Sequence, residues 1–387
     1  MTHPQLPLTG FATITSLSVT FLRAVPPACR RARAGGGGAD NSGIKAIRFH
    51  EHGGPEVLRY EEAPTPAPGP GEVLVALRAA ALNHLDLFVR SGMPGVPLPH
   101  IGGADGAGVV AASGPGATRY PAGTRVFFDP GISDGTCDYC VRGENSLCDH
   151  WQILGEDRDG TFAQAVVVPE INLRPIPEHL DFEEAAAFPL VFQTAWRMLV
   201  TKARLQPGET VLILGIGGGV AIAALQIARL LKARVFVTSG SEAKLARARD
   251  LGAEILINHR ETDFSKEVWS ITKKRGVEVV VDDVGAATWD RSIRSLARGG
   301  RLVTCGATSG PKPDEDLRRI FAKQITIYGS TMGTRQDWDA LNQHLANGDL
   351  RPVVDRTYPL EQAAAAQEVM ARGEQFGKLV LTIPPLQ

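Results

Sequence analysis

The sequence lacks an excess of charge, a long apolar run and a large number of cysteines. Its 387 residues include 41 Lys and Arg against 42 Asp and Glu, for a formal net charge of −1. Without a basic stripe or an apolar run of about 20 residues, we expect neither nucleic-acid binding nor a membrane span. The five cysteines are odd in number and three lie close together. They favour a metal site in a reducing compartment over a disulfide framework, and so a cytoplasmic protein.

Residues 1–43 contain no acidic residue before Asp40 and include a run of four glycines at 35–38. The arginines of this segment are Arg23, Arg30, Arg31 and Arg33. This composition fits a mitochondrial transit peptide and equally a non-native extension from a start codon chosen too early. Strong globular patterning begins at Ile44, so we expect disorder in residues 1–43, and a mitochondrial location if the transit peptide is real.

A glycine-rich turn lies between an apolar strand and an apolar helix in the segment TVLILGIGGGVAIAALQIARLL, Thr210–Leu231. The pattern predicts a buried strand over Val211–Leu214 and a helix over Val220–Leu231. The glycines between them allow a sharp turn and a close approach of the backbone to a ligand. A pyrophosphate suits the N-terminus of the helix, although a tight turn without a ligand would need the same glycines.

The context of this turn favours a dinucleotide. The segments that follow predict strands at Arg234–Gly240, Glu254–Asn258, Val277–Val284, Arg301–Gly306 and Gln324–Ser330. Amphipathic stretches between them predict helices at Glu242–Leu251, Phe264–Lys274 and Ala287–Ala297. Such a βα repeat builds a parallel sheet with helices on both faces, and ligands bind such sheets at the turn after the first strand.

The residues at the end of the second predicted strand determine whether a protein of this kind prefers NADH or NADPH. An acidic residue there favours NADH, whereas hydroxyl and basic groups favour the 2′-phosphate of NADPH. This chain has Ser239 and Ser241, with Lys244 following, and Glu242 fits the first turn of a helix. We therefore expect NADPH, with NADH as the alternative and with Lys244 as an ordinary solvated lysine in that case.

A cysteine-containing segment, Asp134–Cys148, predicts one structural Zn²⁺ ion. Cys137 and Cys140 are spaced to bind one ion, and Cys148 can complete three thiolate ligands. Asp134 is the expected fourth ligand and His150 the alternative. A site with four protein ligands leaves no position for substrate.

The order of motifs from Ile44 onward resembles the medium-chain dehydrogenase/reductase superfamily. The motifs are HEHGGPEVLRYEE (50–62), NHLDLFVRSG (83–92), GGADGAGVV (102–110), the segment Asp134–Cys148, TAW (194–196) and GIGGGVA (215–221). The resemblance implies an α/β protein with a GroES-like β-rich catalytic domain and an inserted Rossmann domain. The expected boundaries are an extension at 1–43, a catalytic domain at 44–190, a cofactor domain at 191–331 and a return to the catalytic domain at 332–387.

The resemblance also implies a catalytic site without zinc. The positions that hold the catalytic zinc of alcohol dehydrogenases match Asn83, Ala104 and Leu190, none of which is a soft ligand. Asn83 and Asp86 match the Asn-x-x-Asp motif of the quinone oxidoreductase branch. We expect Asn83 to orient the cofactor or donate to a developing oxyanion, and Asp86 to shape the loop. Most close members of that branch lack the cysteine segment.

The expected function is an NADPH-dependent reduction of a quinone or an α,β-unsaturated carbonyl. The alternatives are a zinc-type alcohol dehydrogenase and a non-enzymatic NADPH-binding protein. A small molecule is the expected substrate, and the strand Gln324–Ser330 is expected to pair across a homodimer. The expected cofactor-binding residues are His84, Thr194, Gly215, Gly217, Gly218, Gly219, Val220, Ser239, Ser241, Lys244, Asn258, Gly306 and Ala307.

Overall fold

The computed structural model describes residues 43–386, which form four β-sheets with flanking helices. The predicted extension at 1–43 therefore lies, except for Gly43, outside the described residues. No helix within 43–386 is long and apolar enough to cross a membrane.

The first part of the described chain is rich in strands. Its strands are β1 (Ile44–Phe49), β2 (Arg59–Ala63), β3 (Glu72–Ala81), β4 (His100–Ile101), β5 (Asp105–Ser113), β6 (Arg125–Phe128), β7 (Gly131–Ile132), β8 (Gln152–Ile153), β9 (Ala165–Pro169) and β10 (Leu173–Pro175). Its helices are α1 (His84–Gly92), α2 (Asp138–Val141), α3 (Phe182–Ala186) and α4 (Pro189–Trp196). A π-helix at Arg197–Lys202 continues α4.

The middle part alternates strands and helices. The strands are β11 (Thr210–Ile213), β12 (Arg234–Ser239), β13 (Ile255–Asn258), β14 (Val277–Val281), β15 (Leu296–Thr304) and β16 (Thr326–Gly329). The helices are α5 (Gly219–Leu230), α6 (Glu242–Asp250), α7 (Phe264–Ile271), α8 (Trp289–Ser295) and α9 (Leu317–Lys323). The tail adds α10 (Arg335–Ala346), β17 (Val354–Pro359), α11 (Ala363–Ala371) and β18 (Lys378–Thr382).

The alternating part forms one parallel sheet of six strands in the order β13-β12-β11-β14-β15-β16. The chain crosses from one side of β11 to the other between β13 and β14, which creates the crevice where such sheets bind ligands. The buried runs of β11 and β14 are apolar, as strands covered on both faces require. The predicted α/β fold class is confirmed.

The tail returns to the strand-rich part. Strand β18 pairs antiparallel with β3 and parallel with β17, within the sheet order β10-β6-β5-β3-β18-β17. Consequently residue 378 lies beside the end of β3 although almost 300 residues separate them in sequence. The exact division of the chain at residues 190 and 331 stays a prediction.

Two local predictions were wrong in detail. Strand β15 begins at Leu296, where the sequence predicted a helix as far as Ala297, because the chain enters the strand directly after α8. Cys305, which lies inside the predicted strand Arg301–Gly306, follows the last strand residue Thr304 and is half-buried.

Candidate functional site

The glycine turn joins β11 to α5 as the sequence predicted. Gly215 and Gly217 adopt φ angles of 63° and 128°, which other residues rarely adopt. A Cβ on Gly219 would lie 2.7 Å from Val191 Cγ1 and 3.0 Å from the Cδ of Lys378, so the turn packs closely against α4 and β18. The N-cap residue of α5 is Gly218, which has no side chain to cap the first N–H groups, and this fits a pyrophosphate at this helix end.

The turns after β14 and β15 lie at the same edge of the sheet. A Cβ on Gly306 would lie 3.1 Å from the carbonyl oxygen of Asp283, and one on Gly285 would lie 3.0 Å from Cα of Ala307. A Cβ on Gly215 would meet Val284 at 3.8 Å. The predicted residues Gly306 and Ala307 are therefore next to the crevice beside the glycine turn.

Lys244 points toward the tail of the chain. Its Nζ donates to the carbonyl oxygen of Gly373 at 2.6 Å, and its Cδ would lie 2.8 Å from a Cβ on Gly217. Close by, the N–H of Gly377 donates to the carbonyl oxygen of Gly217 at 2.9 Å. Lys244, which the sequence analysis assigned to the 2′-phosphate, thus contacts both the glycine turn and the segment before β18.

The predicted residues Ser239 and Ser241 lie at the end of β12, and Arg260, a cation that sequence reasoning missed, lies close to the glycine between them. Ser239 accepts from the N–H of Ser241, and Ser241 caps α6 by accepting from the N–H of Lys244. Above them, the Nε of Arg260 stands 2.7 Å from the position of a Cβ on Gly240. This combination of hydroxyls and a guanidinium suits a phosphate.

The neighbours of Arg260 fix the loop after β13. The side chain of Asn258 donates to Glu242 at 2.7 Å and accepts from the N–H of Arg260 at 3.1 Å. Desolvation, followed by the charges of nearby arginines, lowers the pKa of His259, which leaves the ring neutral near pH 7. The signal in the sequence was a basic pair directly after a strand whose end lies beside that of β12.

Asp86, in the first turn of α1, is hydrogen-bonded to the loop before this helix. Its carboxylate accepts from the N–H of Asn83 at 2.7 Å and from the N–H of Gly103 at 3.2 Å. Burial raises the pKa of Asp86 to about 7, and these two backbone donors oppose that shift. The carboxylate thus joins the start of α1 to the loop before β5.

A buried ion pair lies next to Asn83. The Nζ of Lys378 donates to Asn83 Oδ1 at 2.5 Å and to Asp105 Oδ2 at 3.0 Å. The Nδ2 of Asn83 donates to the same Asp105 oxygen at 3.0 Å. Lys378 is 4% exposed and Asp105 is fully buried. Sequence reasoning missed both charges, because only the pairing of β18 with β3 brings Lys378 to this place.

An apolar wall adjoins this ion pair. Ala104, Ile153 and Met332 form a buried cluster, against which Leu85, Trp151 and Leu190 pack. The N–H of Leu190 donates to Asp105 Oδ1 at 2.9 Å, which connects the wall to the charges. Thr194, on α4, lies beside the wall, with its Oγ1 3.9 Å from Met332 Sδ.

His84 occupies the first position of α1 and is half-buried. Burial, and next the charge of Lys378, lower the pKa of His84, so its ring is neutral near pH 7. Val220, in the first turn of α5, packs against the core cluster that contains Val191. Both of these predicted cofactor residues therefore lie on helices that begin at the crevice.

The predicted metal ligands come together. One potential ligand atom from each of Asp134, Cys137, Cys140 and Cys148 lies within 4.8 Å of all the others, as no other such group in residues 43–386 does. The N–H groups of Asp134 and His150 each donate to Cys148 Sγ at 3.3 Å. The ring of His150 is not part of this group. Three sulfur atoms and a carboxylate fit a tetrahedral Zn²⁺ ion.

The carboxylate of Asp134 is oriented by its own loop. Its Oδ1 accepts from the N–H groups of Thr136 at 2.7 Å and Cys137 at 3.0 Å. The N–H of Cys137, and next that of Thr136, lower the pKa of Asp134. The group is therefore ionised at neutral pH and suited to bind a cation.

Arg197 connects this cysteine segment to the rest of the molecule. The guanidinium is 1% exposed and donates to Glu144 at 2.7 Å and to Asp337 at 3.3 Å. The N–H of Arg335 also donates to Asn145 Oδ1 at 3.4 Å. The segment is thus held against both the π-helix that continues α4 and helix α10.

The edge of the parallel sheet is exposed. Among the strands of residues 43–386, β16 pairs with β15 alone. Ile327 on this strand is 38% exposed, and Leu317 and Phe321 on α9 are each 69% exposed. An exposed strand edge flanked by apolar side chains is a surface on which another chain can pair.

Comparison with known proteins gives consistent matches over the described chain. Residues 69–178 match the family described as alcohol dehydrogenase GroES-like domain, and residues 219–347 match the zinc-binding dehydrogenase family. The chain is 34% identical to acryloyl-coenzyme A reductase of Metallosphaera sedula, over 87% of this chain and 98% of that protein. It is 29% identical to human quinone oxidoreductase, over 88% and 98% of the two chains.

A solved structure described as an NAD-dependent alcohol dehydrogenase is 46% identical to this chain. It superposes with a TM-score of 0.85, covering 88% of this chain and all of the other. The names of these relatives include both reductases and an alcohol dehydrogenase, so they agree on redox chemistry and differ in substrate.

Proposed function

Because the chain belongs to the medium-chain dehydrogenase/reductase superfamily and is an NAD(P)-dependent oxidoreductase, we propose that it reduces a quinone or an α,β-unsaturated carbonyl with NADPH. The proposed reaction uses no catalytic zinc. The substrate is a small molecule whose carbon is already electrophilic.

The apolar wall carries the proposal. By the resemblance, Ala104 and Leu190 match positions of zinc ligands in alcohol dehydrogenases. In this structure they pack with Ile153, Met332 and Leu85. Their side chains offer no atom that binds a metal, so this donor set does not fit a catalytic zinc. An enone or quinone accepts hydride without a metal to polarise it, provided that the charge on its oxygen is stabilised.

NADPH, when bound, supplies the hydride. Different residues of the crevice bind different parts of this cofactor. The N–H groups at the start of α5 bind the pyrophosphate. Ser239, Ser241 and Arg260 bind the 2′-phosphate, with Gly240 leaving room for the guanidinium. Thr194, which lies beside the apolar wall, would contact the nicotinamide end of the cofactor.

We also propose one structural Zn²⁺ ion bound by Asp134, Cys137, Cys140 and Cys148. Support comes from the convergence of their ligand atoms and from the ionised carboxylate of Asp134. Such an ion would stabilise the segment held by Arg197 and would not contact the substrate.

A homodimer that pairs β16 with its copy is the third part of the proposal. The exposed edge of β16 and the apolar residues Ile327, Leu317 and Phe321 support it. Burial of these side chains against a second copy would remove them from water.

The test is a substrate panel followed by the loss of NADPH absorbance. The proposal expects reduction of simple enones or quinones with NADPH and no oxidation of primary or secondary alcohols with NADP⁺ or NAD⁺. Alcohol oxidation would instead support an alcohol dehydrogenase, as the 46% identical structure is named. NADPH binding without turnover of any substrate would support a non-enzymatic role.

A further inference from the structure

We propose that the ammonium group of Lys378 stabilises the negative charge that develops on the carbonyl oxygen of the substrate. This inference rests on the proposed reductase function. It assigns the stabilising role to a side chain from the tail of the molecule rather than to Asn83.

The amide of Asn83 has no free donor for a substrate. Its Nδ2 donates to Asp105 Oδ2 at 3.0 Å and, over a longer 3.4 Å, to the carbonyl oxygen of Ala81. Its Oδ1 accepts from Lys378. Since an amide nitrogen carries two hydrogens, Asn83 acts as a positioning residue that holds the lysine.

Lys378 retains a donor. An ammonium group carries three hydrogens, and two of them are taken by Asn83 Oδ1 and Asp105 Oδ2. Within residues 43–386 no further acceptor bonds to Nζ. The third hydrogen is therefore available to an oxygen atom of a ligand, in a buried setting where such a bond is strong.

The position of Lys378 joins the cofactor crevice to the apolar wall. Its Cδ lies 3.0 Å from a Cβ position on Gly219 in the glycine turn. Its partner Asp105 follows Ala104 in sequence and accepts from the N–H of Leu190, so both wall residues adjoin the ion pair. A carbonyl compound bound against this wall, facing the nicotinamide, would have the ammonium group near its oxygen.

The other titratable groups nearby do not compete for this role. The pKa of His84 is lowered by burial and by Lys378, so its ring carries no positive charge near pH 7. The carboxylate of Asp86 is engaged by two backbone N–H groups. Among these groups Lys378 is the one cation.

The reaction balances with the cofactor that the proposed function names. A hydride moves from NADPH to the β-carbon, and the electrons of the carbon–carbon double bond shift to form an enolate. Lys378 donates a hydrogen bond to the enolate oxygen and keeps its proton. Water protonates the α-carbon, which leaves the saturated carbonyl, NADP⁺ and hydroxide. A quinone gives a hydroquinone anion that takes one proton in the same way.

The experiment compares Lys378→Met with Lys266→Met, which removes an exposed lysine of α7. For an enone that the wild-type protein reduces, we expect kcat of Lys378→Met to fall about 100-fold or more, the size typical of a lost oxyanion donor. The dissociation constant of NADPH, from fluorescence titration, should change less than about threefold. Lys266→Met should match the wild type in both.

Two results would overturn the inference. One is an unchanged kcat. The other is a defect confined to the dissociation constant of NADPH, which would assign Lys378 to the pyrophosphate. If the wild-type protein reduces no enone or quinone, the proposed function itself has failed, and the NADPH titration still tells whether Lys378 binds the cofactor.

A second variant covers the risk that Lys378→Met does not fold. Removing one partner of a buried ion pair leaves an uncompensated charge on Asp105. The double variant Lys378→Met/Asp105→Asn removes both charges and keeps an oxygen for the N–H of Leu190. We expect it to bind NADPH and unfold near the wild-type temperature, with the same low kcat. Recovery of wild-type kcat in the double variant would contradict the proposal.

Discussion

The Nε of Arg260 lies 2.7 Å from the place where Gly240 would carry a Cβ, at the end of β12. Any other residue at 240 would displace the guanidinium from this position. The pair therefore puts a permanent positive charge next to the hydroxyls of Ser239 and Ser241. Such a charge strengthens the binding of a dinucleotide that carries a phosphate on its adenosine ribose, and it does not strengthen the binding of a dinucleotide that lacks this phosphate.

Replacing Arg260 should remove the preference for NADPH. In Arg260→Gln we expect KM for NADPH to rise about tenfold or more, because a charge-assisted hydrogen bond contributes about 1.5–3 kcal/mol. KM for NADH should stay unchanged. Steady-state kinetics with both cofactors measure the two values.

Lys244→Gln is the matched comparison, since the Nζ of Lys244 donates to Gly373. We expect it to change the NADPH preference less than Arg260→Gln does. A larger loss of preference in Lys244→Gln would restore the original assignment of this lysine to the 2′-phosphate.

The metal prediction can be tested by composition and chelation. We expect about one equivalent of zinc per chain in freshly purified protein, and faster loss of zinc to a chelator in Asp134→Ala. Asp134→Cys should retain zinc longer than the wild type, because thiolate binds zinc more firmly than carboxylate. Asp138→Ala, an exposed acid of the same segment outside the ligand group, serves as the control.

Zinc content below half an equivalent in the wild type would contradict the site. So would equal rates of zinc release from Asp134→Ala and Asp138→Ala, because the carboxylate of Asp134 would then not be a ligand.

Features encoded within a short stretch of sequence were predictable. The glycine turn and the convergence of Cys137, Cys140 and Cys148 each depend on a single segment, where spacing alone sets the geometry. The loop role of Asp86 was equally local. The neighbours of Asn83 could not be predicted, because strand pairing brings Asp105 and Lys378 next to it.

The direction in which a long side chain points also could not be predicted from the sequence. Lys244 and Arg260 are both basic residues near the end of β12, and the local pattern does not rank Arg260 above Lys244. The choice depends on where the loop after β13 crosses Gly240 and on the approach of Gly373 to α6. Both are tertiary contacts between segments distant in the chain.

The buried Asp86 should make the stability of the protein depend on pH. Its pKa is about 7 in the folded protein against 3.8 ordinarily. Between these values the folded chain keeps a proton that the unfolded chain has lost. The contribution of Asp86 to the free energy of unfolding is thus fully present below pH 3.8 and falls by about 1.4 kcal/mol per pH unit up to about 7.

Urea unfolding at pH 5 and pH 7.5 measures this contribution. We expect the destabilisation caused by Asp86→Asn to be larger at pH 5 than at pH 7.5. Asp250→Asn, at an exposed position ending α6, should show no such difference. A larger effect of Asp86→Asn at pH 7.5 would mean that the two backbone donors outweigh burial.

The edge of β16 predicts the oligomeric state. Light scattering should give the mass of a dimer for the wild type and of a monomer for Ile327→Lys, because a charge on the strand opposes pairing. Ile171→Lys places the same change at another exposed isoleucine and should remain dimeric. A monomeric wild type, or a dimeric Ile327→Lys, would exclude this surface as the interface.

The hydrogen bonds from Lys378 to Asp105 and Asn83 span 273 and 295 residues of sequence. Contacts of such separation form late, because a long stretch of chain must be ordered before they close. The parallel sheet and its glycine turn can form from neighbouring segments while β18 is still unpaired. During folding the protein should therefore gain its affinity for a dinucleotide before its reactivity. A partly folded chain would bind the cofactor without transferring its hydride to a substrate.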